Sequence, residues 1–394
     1  MFDFNSAKER VDKVTNRTHL FYSDYFSGIS NNNVYIKPEN LQKTGSFKIR
    51  GAYNKICKLS EEEKAKGIIT ASAGNHAQGV AFSANDLGID ATICMPEQTP
   101  MIKVDGTLKY GAKVDLFGEN FDACKDHALE RAEKEGLTFI PPFDDLDVIE
   151  GQGTISLEIL EDLDYVDYVI VPVGGGGLIS GVAKCIKQIS PLIKVIGVEP
   201  VSAASMKEAV KEGKVVKVDG VDTIADGTAV AEVGKYTYEI CKDYVDDWIT
   251  VTDEEVLMAF INLMERHKLV AEPSGALSLA ALQKVNFYNK SVVSIISGGN
   301  IDMSFISQLI NRGLYETGRI TRIDVELPNI PGKLQELLSD IAYTKANVVT
   351  IDQDSLREAS RYKNINVEIT LETNGTEHVK KIHDLLNKKG YIIH

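Results

Sequence analysis

Cysteine is scarce in this chain, and what there is does not pair. Five occur, Cys57, Cys94, Cys124, Cys185 and Cys241, an odd number without a C-x-x-C spacing. That argues against a disulfide framework or a cysteine-based zinc site and fits a reducing compartment. Long apolar runs are missing as well, and none approaches membrane-spanning length. The opening stretch MFDFNSAKERVDKV is polar and lacks the apolar segment of a secretory signal. Positive charge is in the minority, with 43 basic against 57 acidic side chains and a net charge of −14. Such a balance disfavours nucleic acid or an anionic membrane as a partner. Several catalytic signatures are absent too. The seven histidines form no H-E-x-x-H pair, and neither a G-x-S-x-G elbow nor a G-x-x-x-x-G-K-[ST] loop appears. The expectation is a cytoplasmic protein.

What the chain does have is length and hydrophobic material for more than one domain: 394 residues, 43% hydrophobic and 25% charged. Up to about residue 315, short apolar runs alternate with amphipathic stretches. GIITA (67–71), ATICM (91–95), KVDLF (113–117), DYVIVPV (167–173), KVIGVEP (194–200) and SVVSIIS (291–297) read as strands. Segments such as NHAQGVAFSANDLG and LISGVAKCIKQI read as helices between them. The order predicts an α/β domain with a parallel sheet, and the unalternating Val/Ile runs predict strands covered on both faces. The pattern changes near Gly318. RITRIDVEL, KLQELLSDIAYTK, NVVTIDQD, INVEITLET, GTEHVKKIHDLLNKKG and YIIH follow in the order βαββαβ, with a polar loop SLREASRYK, as in a ferredoxin-like fold. The expected domains are 1–317 and 318–394.

Four segments carry candidate chemistry. In KTGSFKIRGA (43–52), Lys48 lies between Phe47 and Ile49. An apolar setting desolvates an amine, lowers its pKa and suits it to Schiff-base chemistry with an aldehyde. Taken alone, Lys48 reads more readily as a solvated lysine at a helix start, since most lysines are solvated. In TASAGNHAQG (70–79), a strand runs into a helix through small residues. The helix start could receive a carboxylate and Asn75 a ring hydroxyl, or Ser72 and Asn75 could simply cap the turn. VPVGGGGLISG (171–181) places Gly174, Gly175, Gly176 and Gly177 between a strand and a helix. Four glycines cost folded backbone entropy, and a nest of N–H groups around a phosphate is a reason for them. In SIISGGN (294–300), Ser297 ends a strand, where its hydroxyl could meet a pyridine nitrogen or cap the turn. Ligands of open parallel sheets lie beyond the carboxyl ends of the strands, so these segments can converge on one cofactor. EEEK (61–64) reads as a solvated face, and PPFDD (141–145) as a loop on account of its prolines.

With these residues in view, the sequence resembles the threonine dehydratases (threonine ammonia-lyases) of the short form that carries a C-terminal ACT domain. The shared motifs are KPEN-x-Q-x-TGSFK-x-RGA (37–52), SAGNHAQGVA (72–81), GQGTI-x-LEI (151–159), VPVGGGGLISG (171–181), IADGTAV (224–230), AEPSGA (271–276) and SGGNID (297–302). The resemblance implies the type II pyridoxal-phosphate fold, like the β subunit of tryptophan synthase, with a smaller lobe at about 53–150 that closes on substrate. It implies that Lys48 holds pyridoxal 5′-phosphate beside Phe47. Asn75 would face the cofactor's ring oxygen, Gly174 to Gly177 with Leu178 the phosphate, and Ser297 the ring nitrogen. Ser72, Gly74, Asn75 and His76 would take the substrate carboxylate, with Glu272 near the ring. The implied reaction removes water and then ammonia from L-threonine or L-serine.

The serine racemases share most of these motifs but resemble S-S-G-N-H where this chain has Ser72-Ala73-Gly74-Asn75-His76. Ala73 cannot move a proton, which argues against racemisation. Those relatives bind a divalent ion through a Glu, a carbonyl and an Asp. Glu199 and Ala203 match, whereas Ser205 stands for the Asp, so no metal is expected. His19 in RTHL (17–20) replaces the usual proline. A β-replacing synthase fits IADGTAV and the appended tail less well, and a non-catalytic amino-acid-binding regulator would have no need of Lys48. The tail, with LPNIPGKL (327–334) as its ligand loop, implies an amino-acid or nucleotide effector, or a dimerisation module without one, and a homodimer or homotetramer.

Overall fold

The structure, a computed structural model, describes residues 2–354 and 363–394. The polar loop expected at SLREASRYK lies almost wholly outside them. Contacts divide the chain into Met1–Asp302 and Met303–His394. The helix Met303–Glu316 therefore groups with the second unit, although the sequence pattern changes only after it, near Gly318.

The first unit holds two sheets. The larger runs Phe21–Tyr22, Asn33–Pro38, Ser291–Ile296, Tyr168–Pro172, Lys194–Pro200, Asp247–Val251, and every neighbouring pair after the first is parallel. The smaller runs Lys113–Leu116, Ala91–Met95, Ile68–Ala71, Thr138–Phe139, all parallel. Val169, Ile170, Val171, Val195, Val293 and Ile295 are all buried, as strands covered on both faces require. In the smaller lobe, Ala77, Val80, Ala81 and Ala84 of helix Asn75–Asp86 pack with Ile68, Ile93 and Met95.

The helix Lys48–Cys57 packs against Asn75–Asp86 on one side and Leu146–Asp162 on the other, and Leu146–Asp162 packs against Gly177–Ile189. The helices opened by Asn75 and Lys48 are thus direct neighbours, and Leu146–Asp162 bridges the Lys48 helix to the one opened by the glycine run. Behind Lys48 lies a buried set of charges that the sequence did not reveal. Arg50 grips Glu39 through Nε (2.7 Å) and Nη2 (2.9 Å) and donates from Nη1 to Glu158 (2.7 Å). Lys37 Nζ donates to Glu158 (2.5 Å) and to the Thr18 carbonyl (2.6 Å). Two cations and two carboxylates balance, so none is left buried without a partner. Removing one side of such a pair costs about 3–5 kcal/mol.

In the second unit, the sheet order is Asn347–Asp354, Asn364–Glu372, Ile320–Pro328, Ile392–Ile393, all antiparallel. The helices Lys333–Tyr343 and Thr376–Lys388 supply Leu337, Ile341, Ile382 and Leu386 to a core with Ile323, Val325, Val367 and Ile369. This is the ferredoxin-like βαββαβ arrangement, and it fits an ACT-like domain. Among the described residues, no helix is long and apolar enough to cross a membrane.

Candidate active site

Lys48 is the first residue of its helix, and its flanks are apolar, with Ile49 fully buried and Phe47 half-buried. Its Nζ lies 5.3 Å from the centroid of the Phe47 ring and donates to the Pro142 carbonyl at 2.6 Å. Desolvation lowers its pKa to about 8, against the opposing pull of Glu272. An amine so placed is far easier to deprotonate than a solvated lysine.

From Lys48 a closed circuit of contacts runs through the other candidates. Pro142 is followed by Phe143, whose ring would stand 2.5 Å from a Cβ placed on Gly175 and whose Cβ would stand 2.8 Å from one on Gly177. A Cβ on Gly174 would reach the Thr228 Cα at 2.9 Å. Beside Thr228, Gly227 lies near Glu272, 3.7 Å from its would-be Cβ to Oε1. Glu272 accepts from Asn75 Nδ2 at 2.6 Å, and its N–H donates to the Gly298 carbonyl at 3.0 Å. The neighbouring Ser297 carbonyl accepts from the Phe47 N–H at 3.0 Å, which returns to Lys48. Strand ends at Ala71, Pro172 and Ile296 feed this circuit, the place where an open parallel sheet offers a ligand site.

The glycine run turns at Gly176, with φ +90°, into the helix Gly177–Ile189. Among the described residues, no acceptor meets the backbone N–H groups of Gly174, Gly175 or Gly176. Together with the free N–H groups of a helix's first turn, they suit a phosphate. Leu178 is buried in the core beneath them.

At the other turn, Ser72 Oγ accepts from the Gly74 N–H (3.3 Å), and a Cβ on Gly74 would meet nothing within 4 Å. Open space therefore adjoins the start of the helix Asn75–Asp86. The His76 imidazole is committed to the Ile140 carbonyl (Nε2 to O, 3.0 Å). Burial and the nearby Lys48 charge lower its pKa to about 3 and keep it neutral. Its Nδ1 is buried without a partner, so that nitrogen as well as the backbone is left to meet a ligand. Burial raises the Glu272 pKa to about 7, partly offset by the bond from Asn75.

Glu199 accepts from the backbone N–H groups of Met206 and Lys207, both at 2.8 Å, and the Ser205 hydroxyl is buried without a partner. Elsewhere in the smaller lobe, Cys94, Asp115 and His127 cluster. There the Asp115 carboxylate already meets His127 at 2.9 Å and Arg131 at 2.5 Å, an ion-pair set.

Two contributors escaped the sequence reading. PPFDD has the sequence of a plain loop, yet it supplies Pro142 and Phe143 to the circuit, and its Asp144 accepts from three N–H groups at the start of the helix Lys235–Tyr244. Two prolines among strand–helix signals were the only hint. Asn300, one residue of the SGGNID motif with no signal of its own, donates from Nδ2 to Asn75 Oδ1 at 2.7 Å.

Residues 11–298 match the family described as pyridoxal-phosphate dependent enzyme. An L-threonine ammonia-lyase of Thermotoga maritima is 46% identical over 390 residues, 99% of this chain and 97% of that one. Threonine deaminase isoform 2 of Solanum lycopersicum, in its processed form, superposes with a TM-score of 0.75 at 44% identity, covering 78% of this chain and 92% of that one. Maize serine racemase superposes with the same TM-score at 35% identity, covering 79% and 97%. A lysine amine made easy to deprotonate, a run of unpaired N–H groups and full-length likeness agree: the chain belongs to the pyridoxal-phosphate dependent enzymes.

Proposed function

We propose that this protein is an L-threonine ammonia-lyase that converts L-threonine to 2-oxobutanoate and ammonia and takes L-serine, as a secondary substrate, to pyruvate. The observation that carries the reading is Lys48, desolvated and joined by one circuit of contacts to the glycine run, Asn75, Glu272 and Ser297. In this reading Lys48 holds the cofactor beside Phe47. The N–H groups of Gly174 to Leu178 take the phosphate, Asn75 the ring oxygen and Ser297 the ring nitrogen. The backbone and hydroxyl of Ser72, Gly74, Asn75 and His76 take the substrate carboxylate in the open space at Gly74.

When bound, pyridoxal phosphate supplies an electron sink at the substrate's α-carbon. Lys48 Nζ, freed by substrate, takes the α-proton. It then returns a proton to the departing β-hydroxyl. Lys48 would then release the dehydrated product as an enamine, whose hydrolysis yields the keto acid and ammonia and takes back the water lost. Glu272 lies against Asn75 and so beside the ring. Ala73 has no hydroxyl to deliver a proton to the opposite face, which favours elimination over racemisation.

Any amino-acid effector is assigned to the antiparallel-sheet unit, at the turn 327–334. The enzyme is read as cytoplasmic and as a homo-oligomer, dimer or tetramer.

The test is a keto-acid and ammonia assay on the purified protein with pyridoxal phosphate. L-Threonine should be consumed with one ammonia released per keto acid, and Lys48→Ala should lose both this turnover and the covalent cofactor. A Lys48→Ala protein that kept both, or ready formation of D-serine from L-serine, would overturn the reading.

A further inference from the structure

We propose that Asn300 is a positioning residue that fixes which end of the Asn75 amide faces the cofactor; this rests on the reading of Asn75 given above. An amide's two ends look alike by shape, and the hydrogen-bond network decides between them. Here a backbone group settles the choice. Asn300 stands 2.7 Å from the Thr44 carbonyl, which can only accept, so the atom facing it is Nδ2. The same nitrogen lies 2.7 Å from Asn75. It has only hydrogens to offer, so the Asn75 atom facing it is the acceptor, Oδ1. The Asn75 Nδ2 is then turned the other way, to Glu272 Oε1 at 2.6 Å and toward Gly298.

The polarity of the whole chain, from Thr44 through Asn300 and Asn75 to Glu272, is therefore dictated by one carbonyl. Asn75 presents N–H, not C=O, on the side of Glu272. Asn300 is itself clasped. A Cβ on Gly45 would lie 2.3 Å from Asn300 Oδ1, and the Gly299 N–H donates to the Gly45 carbonyl at 2.8 Å. Gly45 has φ +74°, a conformation that glycine adopts freely. The tight turn before Lys48 thus holds the residue that orients Asn75, which ties the lysine's loop to the donor at the ring.

Replacing Asn300 by aspartate keeps the shape and removes the donor. Asn75 then turns its Nδ2 to the new carboxylate and its Oδ1 to Glu272, and above about pH 7, where Glu272 is ionised, two acceptors oppose each other. The ring oxygen loses a donor and meets an acceptor. Asn300→Ala removes the lock without imposing the reverse orientation.

The experiment titrates pyridoxal phosphate into cofactor-stripped wild type, Asn300→Ala, Asn300→Asp, Asn75→Ala and the Asn75→Ala double variants. It follows the dissociation constant and the ratio of the bound cofactor's long- and short-wavelength absorption bands, with thermal melts to check folding. Asn300→Asp should weaken binding about tenfold and shift the band ratio, and Asn300→Ala should do so less. Neither should add anything once Asn75 is alanine, since a residue acting only through another shows full coupling. If Asn300→Asp does not fold, Asn300→Ala in the two backgrounds carries the cycle. Equal effects with and without the Asn75 amide, equal spectra for the two Asn300 variants, or no spectral change in either would overturn the proposal. An Asn75→Ala protein with unaltered cofactor binding and spectrum would instead remove Asn75 from the ring, a failure of the site assignment that is told apart by that single variant.

Discussion

The two glycine-bearing turns of the site look alike in sequence and do opposite things in space. At 174–177 the missing side chains make room for the protein itself. Cβ atoms there would strike Phe143, Met206, Thr237 and the backbone of Thr228 at 2.4–2.9 Å. At Gly74 the missing side chain makes room for nothing in the protein, because a Cβ would meet no atom within 4 Å. The first turn is a cradle closed tight by its own chain, with its N–H groups left over. The second borders open space at a helix start. A glycine run therefore need not mean that a ligand fills the Cβ positions. In this protein the ligand would use the N–H groups, while packing uses the space.

Breaking the packed turn should have the largest effect. Gly176→Ala combines a φ of +90° with a methyl 2.4 Å from Met206 Cε and 2.9 Å from Thr237 Cβ. Left-handed backbone and overpacking together should cost about 2–4 kcal/mol, read as a lower urea midpoint at unchanged slope. Gly175→Ala meets the Phe143 ring at 2.5 Å without the backbone strain and should cost about 1–3 kcal/mol. Phe143→Leu in the same chain should restore part of that loss. Additive losses in the double variant would show that the ring is not what the methyl strikes.

The open turn should answer differently. Gly74 has φ −133°, outside the left-handed region, and space around it. Gly74→Ala should leave stability within about 0.5 kcal/mol of wild type. Its methyl would project where a substrate carboxylate is expected, so KM for L-threonine should rise roughly tenfold or more while cofactor binding holds. A variant that lost stability and kept KM would reverse the comparison.

How much of this was legible beforehand depended on range. Apolar strands such as 168–172, 194–200 and 291–296 could be read because their burial shows in their own composition. The strand Asn33–Pro38 could not, since it carries Lys37, and a fully buried lysine is understood only through Glu158, 121 residues away. The turns around Lys48, Asn75, the glycines and Ser297 were legible as separate segments, because small residues at strand ends mark them locally. Their convergence could be expected from the strand ends, but the residues that join them could not. Phe143 meets the glycine run and Pro142 meets Lys48 from a loop that shows only its prolines. Asn300 reaches Thr44 across 256 residues. Partner choice in a hydrogen-bonded site is a long-range property, and local pattern does not encode it.

Glu272 stands where the two turns meet, bonded to Asn75 and facing Gly227 beside the packed run, and it gives the smallest test. Burial raises its pKa from the ordinary 4.5 to about 7. The folded protein then holds a proton there that the unfolded chain releases at lower pH. Stability must fall as pH rises through that window, because the native state binds more protons than the unfolded state. Glu272→Gln removes the titration while keeping an oxygen to accept from Asn75. The stability of the variant relative to wild type should therefore climb between about pH 4.5 and pH 7 and level off above, measured by urea midpoints across the range. A flat difference would mean that solvent reaches the carboxylate as freely as it reaches Gly74, and would extend the open turn's space to Glu272. A climb would place Glu272 with the packed turn, on the dry side of the site.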